Sequence, residues 1–397
     1  PNGEEYFFPI IYEGNGGGQR VGKFVPFTDN GTIANSVIYN RADTPKLART
    51  PGSNGNRKTF TISFWYKPTD LGTRRAVFAA DTSGSDYFYW EFDASNKIDL
   101  AQYSGPALRL QTNRTFEDTS KFYHFMLVVD TTQSTASDRL KLYVDGDQVT
   151  SFAVETYPSQ DLDTKVNSTS YPMAVGSFNS LTSLCTGGYL AEYNFVDGSA
   201  LTPSTFGLTD TSTGRWIPKT LSGITYGTNG FRLQFGDSSA LGDDTSGNTN
   251  DFTATNLAST DQTTDSPTQN HATLSPSPDT GGTLSEGNLK LVTNNTGYNV
   301  KLATLRPKSG KYYAEFTIGS SGGGMIGVTD ANIIPTSSSS YFPFGYGYGW
   351  YQNNGNIYDE NVAVVVSGST YTTSDVLAIA LDLDNQTLKF YKNNVLD

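Results

Sequence analysis

Few residues in this 397-residue chain could do chemistry: 39 acids and 24 tyrosines stand beside two histidines and one cysteine. Retaining glycoside hydrolysis needs two carboxylates about 5–5.5 Å apart, commonly carried on a strand as Glu-x-Asp followed by a further Glu. Residues 90–95, WEFDAS, put Glu91 and Asp93 on one strand face, but Ala94, Ser95 and Asn96 follow and the third acid is missing. Glu192 and Asp197 stand five positions apart, on opposite faces of a regular strand. These acids read as exposed strand carboxylates. A serine or cysteine nucleophile requires a positioned base, yet His124 lies inside an apolar run and His271 in a proline-rich one. Two histidines and one cysteine do not make up the usual zinc ligand sets, and no phosphate-loop or dinucleotide fingerprint occurs. The expectation is a protein that is not an enzyme.

Calcium is the one metal the residues raise. The string DDTSGNTND at 243–251 gathers Asp243, Asp244, Asn248, Asn250 and Asp251 around a glycine, the hard oxygen donors that Ca²⁺ takes. The EF-hand spacing is absent because its closing Glu is missing, and the competing reading is a loop of Asx turns that needs no ion. Sugar binding asks for aromatic rings beside hydrogen-bonding groups. Two clusters qualify: residues 341–351, YFPFGYGYGWY, with Tyr346, Tyr348, Trp350 and Tyr351 followed by Gln352, Asn353 and Asn354; and Tyr87, Tyr89 and Trp90 with Asp86 and Asp93. Alternating tyrosine and tryptophan also fill sandwich cores, so each cluster has a structural reading.

The elements that must position these residues are strands. Residues 59–67, TFTISFWYK, alternate strictly, with Phe60, Ile62, Phe64 and Tyr66 on one face of a half-buried strand. Residues 122–129, FYHFMLVV, are a nearly continuous apolar run, as in a central sandwich strand, and residues 140–144 alternate up to an Asp145-Gly146 hairpin turn. Residues 189–196, 231–235, 312–318 and 376–383 alternate as well, and no helical stripe occurs. An all-β chain of tandem antiparallel sandwiches follows. The expected organisation is an arm at 1–32, a sandwich at 33–205, a polar connecting region at 206–282 and a second sandwich at 283–397. The net charge of −12 excludes a nucleic-acid partner. With one cysteine there is no internal disulfide, and no run is long and apolar enough to insert in a membrane.

Three resemblances attach to these strings. TFTISFWYKP, FYHFMLVVD and LKLYVDGDQV resemble, in order and spacing, laminin G-like, concanavalin A-like jelly rolls. That resemblance implies an inner strand with a partly buried Trp65, an aromatic-His pair at Tyr123-His124, and a hairpin before the last strands. GYLAEYNFVDGSALTPSTFG at 188–207, GRWIPKTLSGITYGTNGFRLQF at 214–235 and DDTSGNTNDFTATNLASTDQTTDSPT at 243–268 resemble a module of bacteriophage tail-fibre and related virion proteins. SGKYYAEFTI, MIGVTD, GYGW and SDVLAIALDLDNQTLKFYKNN, between 309 and 394, resemble the SPRY domain, whose usual closing strands are missing after Asp397.

Together these imply a virion-surface fibre or adhesin subunit, assembled in the host cytoplasm and acting outside it. Its partners would be other virion proteins, sister chains in a homo-oligomer (a trimer by analogy), and a host-surface glycan or protein. The alternatives are a structural spacer without a receptor site and a polysaccharide-degrading tailspike.

Overall fold

Alternation of apolar residues builds the first sandwich. The computed structural model describes residues 31–397 apart from 84, 104–107, 182–183, 212, 277–280, 294–298, 306, 321–322, 330–346, 360–361 and 366–367, so nearly all of the expected N-terminal arm lies outside the described residues. In one sheet the strands run in the order Asp147–Gln148, Leu140–Val144, Tyr123–Asp130, Thr59–Pro68, Gly188–Asp197, Ser36–Tyr39 and Gln262–Thr263, with Phe231–Leu233 also paired to Gly188–Asp197. In the other the order is Phe152–Thr156, Leu108–Thr115, Lys97–Tyr103, Asp86–Phe92, Arg75–Ser83, Met173–Val175, Lys46–Arg49 and Thr253–Thr255. All pairings within the two sheets are antiparallel. Phe60, Ile62, Phe64 and Tyr66 point into the core between the sheets, where Phe64 stacks on Tyr193 at 4.8 Å and meets Trp90 edge-on at 4.9 Å. The hairpin after Val144 turns through Asp145 (φ 50°) and Gly146 (φ 86°), left-handed at both positions as a two-residue turn demands.

The half-buried expectation for Thr59–Pro68 is corrected: Thr61, Ser63, Trp65 and Lys67, on the face turned away from the core, are also buried. The cover is the polar stretch read from composition as a connecting region. Its strands Phe231–Leu233, Thr253–Thr255 and Gln262–Thr263 pair with strands of the sandwich. Widely spaced apolar anchors, Phe206, Ile217, Tyr226, Phe231, Leu233 and Phe252, are buried. The hairpin of Gly207–Thr209 and Trp216–Pro218 sets Trp216 on His124, with ring centroids 5.9 Å apart. A Cβ at Gly146 or Gly207 would stand 2.5 Å from that indole, so both glycines admit it by close approach.

The second sandwich pairs Lys311–Thr317, Val376–Asp382, Thr387–Lys392 and Val395–Leu396 in one sheet, and Met325–Thr329, Gly347–Tyr351, Ile357–Asp359 and Val362–Val365 in the other. Its core holds Trp350, Ile357, Tyr371, Leu377, Ile379 and Phe390. Among the described residues no helix is long and apolar enough to cross a membrane.

Candidate functional site

Period-two alternation sorts Asp86–Phe92 into two faces. Phe88, Trp90 and Phe92 are buried in the core, while Tyr87, Tyr89 and Glu91 face outward. Antiparallel register then sets Tyr87 opposite Tyr103, Tyr89 opposite Ala101 and Glu91 opposite Asp99; on the next strand Arg109 faces Ala101 and Gln111 faces Asp99. The outcome is a tyrosine group on the outer sheet face. Tyr89 stacks on Tyr103 at 6.2 Å and 12°, Tyr87 stands 5.3 Å from Tyr103 and 5.5 Å from Tyr89, and Phe178 closes one side at 5.6 Å from Tyr87. Tyr103 is 40% exposed and Tyr89 only 3%, so Tyr103 is the open ring and Tyr89 its backing.

Two arginine forks border the rings. Arg74 donates from Nε and Nη2 to the two oxygens of Glu91 at 2.8 and 2.9 Å. Arg109 donates likewise to Asp99 at 3.0 and 2.6 Å. The carboxylates lie underneath, with side chains 2% and 5% exposed, while the Arg74 and Arg109 side chains are 47% and 35% exposed. Burial pushes the Glu91 carboxyl up, against the opposing pull of Arg74. The Asp99 hydrogen bonds raise the Arg109 guanidinium, and burial raises the Tyr87 and Tyr89 phenols. The Tyr87 and Tyr89 phenols and the Arg109 guanidinium therefore keep their charge states through the neutral range.

Two groups with catalytic residue types are engaged in pairs, and Glu91, expected as an exposed strand carboxylate, is buried. Glu91 and Asp99, the directly opposed acids, each give both oxygens to an arginine. Buried His124 lies 2.8 Å from Ser63 through Nε2 and accepts the Trp216 indole N–H on Nδ1 at 3.0 Å. Because Nδ1 accepts, the proton sits on Nε2 and is donated to Ser63, the wrong tautomer for a base toward that hydroxyl.

The sequence candidates fall out unevenly. Tyr87 and Tyr89 belong to the face just described. Trp90 is a correction, a fully buried core residue on the opposite side of the strand. Asp86 is engaged by Lys165 and by the Tyr171 hydroxyl. Asp93 caps the following turn by accepting the Ser95 and Lys97 amides and the Gln111 side chain. Tyr103, Arg74, Arg109 and Asp99 were missed. The signal for Tyr103 was the turn at 93–96, where Asn96 has φ 60°; once it is placed, counting back along both strands sets Tyr103 against Tyr87.

In the second cluster Tyr346 lies outside the described residues. Trp350 is again a correction: it is fully buried and donates its indole N–H to the Ser369 carbonyl. Tyr348 is 42% exposed. Tyr351 meets Tyr358 edge-on at 6.3 Å, and their hydroxyls accept from Asn353 and Asn354 at 2.9 and 2.8 Å.

The candidate calcium residues do not converge on a shared cage. Asp244 accepts the amides of Arg232, Ser246 and Asn250 and the Ser246 hydroxyl, and Asp251 accepts the Asp244 amide. Asn248 and Asn250 turn their amide N–H groups to carbonyls at 227–230. Arg49 donates to Asn250 and lies close enough to be attracted by Asp244 and Asp251. Among the described residues no group of three or more His, Cys, Asp or Glu could hold a metal, Asp243 included. The Asx-turn alternative describes this loop.

No curated protein matches the sequence. Among solved structures the chain is similar to the heptameric SAP-like pentraxin of Limulus polyphemus, at 14% identity, covering 43% of this chain and 80% of that one with a TM-score of 0.31. It is similar to domain 4 of an extracellular arabinanase from Geobacillus stearothermophilus, solved with arabinotriose, at 20% identity, covering 44% and 76% with a TM-score of 0.32. It is also similar to a tailspike protein of an Escherichia coli O157:H7 bacteriophage, at 14% identity, covering 46% and 28% with a TM-score of 0.31. A family model for the concanavalin A-like lectin/glucanases superfamily, of laminin G type, matches residues 43–205. With the two antiparallel sheets around one core, those residues form a laminin G-like, concanavalin A-like jelly-roll domain.

Proposed function

We propose that the chain is a glycan-binding adhesin subunit on the surface of a bacteriophage virion, binding without catalysis. The observation that carries the binding is the exposed Tyr103 ring, backed by Tyr89 and bordered by the Arg74 and Arg109 forks on an open sheet face. A sugar's apolar face packs on such a ring while its polar groups meet the flanking donors. The virion setting rests on the phage-like strings at 188–268: residues 188–197 form a strand of the jelly roll, and those from 206 on fold against it through Trp216 and three added strands. Binding without turnover is favoured by the arginine-tied acids and by the tautomer of His124. The C-terminal sandwich, SPRY-like in its strings, would serve as a second module. Sister chains in a homo-oligomer belong to the same reading.

Glycan-array and host-cell binding by the full chain, beside Tyr103→Ala, tests the adhesin. Binding lost in the variant at unchanged melting temperature supports it, and uniformly null binding by the wild type overturns it. New reducing ends released from a bound polysaccharide, and abolished by Glu91→Gln, would show an enzyme instead. Imaging of intact particles tests the virion location.

A further inference from the structure

We propose that the tyrosine face takes a pyranose bearing a carboxylate, with the sugar ring on Tyr103 and the acid on the Arg109 guanidinium, Arg74 adding a second cation. This deepens the reading above and rests on it. What a ligand meets at the border of the face is one-sided. Each fork uses Nε and Nη2, which leaves the Nη1 donors pointing away from the carboxylate. Glu91 and Asp99 lie below with side chains 2% and 5% exposed, so they are closed to a ligand hydroxyl seeking an acceptor.

A neutral sugar offers hydroxyls that both donate and accept, and the forks themselves answer only the accepting half, leaving the donating half to the tyrosine hydroxyls and the Gln111 amide oxygen. A carboxylate offers acceptors only, and a planar guanidinium matches it in a way that a lysine would not. The forks also hold the guanidinium groups in place before binding, so little side-chain freedom remains to be lost. Arg109 faces Ala101, two residues from Tyr103, and its fork turns the guanidinium toward Asp99, so the ligand must extend from the Tyr103 ring along the strand past Ala101 to reach it. The chain's net charge of −12 opposes an acid at long range, but beyond about 8 Å that field is screened in physiological salt.

The experiment measures Kd of the full chain for immobilised oligogalacturonate, alginate oligomers and sialyllactose, each beside its carboxyl-reduced counterpart, in which the acid has become a primary alcohol. At least one acid form is expected to bind, with affinity falling about 10–100-fold on reduction, the range of a charge-assisted hydrogen bond. The double variant Arg109→Gln with Asp99→Asn keeps the pair neutral and hydrogen-bonded, and an unchanged melting temperature checks that it folds. It should show the same loss toward the acid form and a clearly smaller one toward the reduced form, whose primary alcohol loses only a neutral acceptor's bond to Arg109. Reduced counterparts that bind as tightly as the acids overturn the proposal and leave the glycan reading standing. Failure of every acid and every reduced form to bind overturns both.

Discussion

His124 gives the sharpest physical test of how the cover is fastened to the jelly roll. The ring is buried between Trp65 at 4.9 Å and Trp216 at 5.9 Å, and burial is the one cause acting on its pKa, which it pushes down from 6.5 to about 3. The folded state therefore holds a neutral imidazole while the unfolded chain takes up a proton near the ordinary value. For a group depressed in the folded state, stability is fully present above the unfolded pKa and is lost as pH falls toward the folded one. The slope approaches about 1.4 kcal/mol per pH unit. Between pH 6.5 and about pH 4.5 this amounts to roughly 2 kcal/mol, and carboxylates titrating in the same window add their own effect. His124→Gln keeps one donor for Ser63 and one acceptor for Trp216 but cannot titrate. Urea unfolding followed by tryptophan fluorescence over that pH range should show the wild type losing about 2 kcal/mol more than the variant, whatever constant offset separates them. Parallel pH profiles would refute the reasoning and place His124 in a wetter or differently hydrogen-bonded site.

Three further outcomes follow from the packing. Lys67, fully buried, donates to Asp265, Asn270 and the His271 carbonyl at 2.6, 2.9 and 2.9 Å. Lys67→Met should cost about 3–5 kcal/mol in denaturant unfolding by stranding the Asp265 carboxylate, and adding Asp265→Asn should recover part of that loss. Trp216→Ala removes the ring that Gly146 and Gly207 accommodate and should cost roughly 2–4 kcal/mol, with faster proteolysis inside residues 206–226 as the local readout. Saturating calcium or a chelator should leave the melting temperature unchanged, because Arg49 and backbone donors already satisfy the 243–251 loop; a clear upward shift with calcium would restore the ion.

What was legible in the sequence was whatever the period of a single strand encodes. Residues 59–67 and 140–144 carry enough alternation to give the all-β class, the inward set Phe60, Ile62, Phe64 and Tyr66, and the turn at Asp145-Gly146. The cover was hidden because composition averages over its anchors: Phe206, Trp216, Tyr226, Phe231 and Phe252 are diluted among dozens of Ser, Thr, Asn and Asp, yet each fills a specific hole. Register was hidden too, since it depends on irregularities such as the bulge between Ala191 and Asn194, where Glu192 sits at φ 48°.

The Trp90 error has a different origin, and it was avoidable from the sequence. Tyr89 and Trp90 are adjacent, so one strand cannot present both to the same solvent. The triplet Phe88, Trp90, Phe92 is wholly aromatic, whereas Tyr87, Tyr89, Glu91 ends in an acid, and only the second can be the outer face. Trp350 could not be settled that way. It shares parity with Tyr348, yet one is fully buried and the other 42% exposed, because the strand leaves its core along its length. Parity assigns faces, and the depth of each face belongs to the neighbours that cover it. The open ring at Tyr103 became visible only when two strands and a turn were counted together.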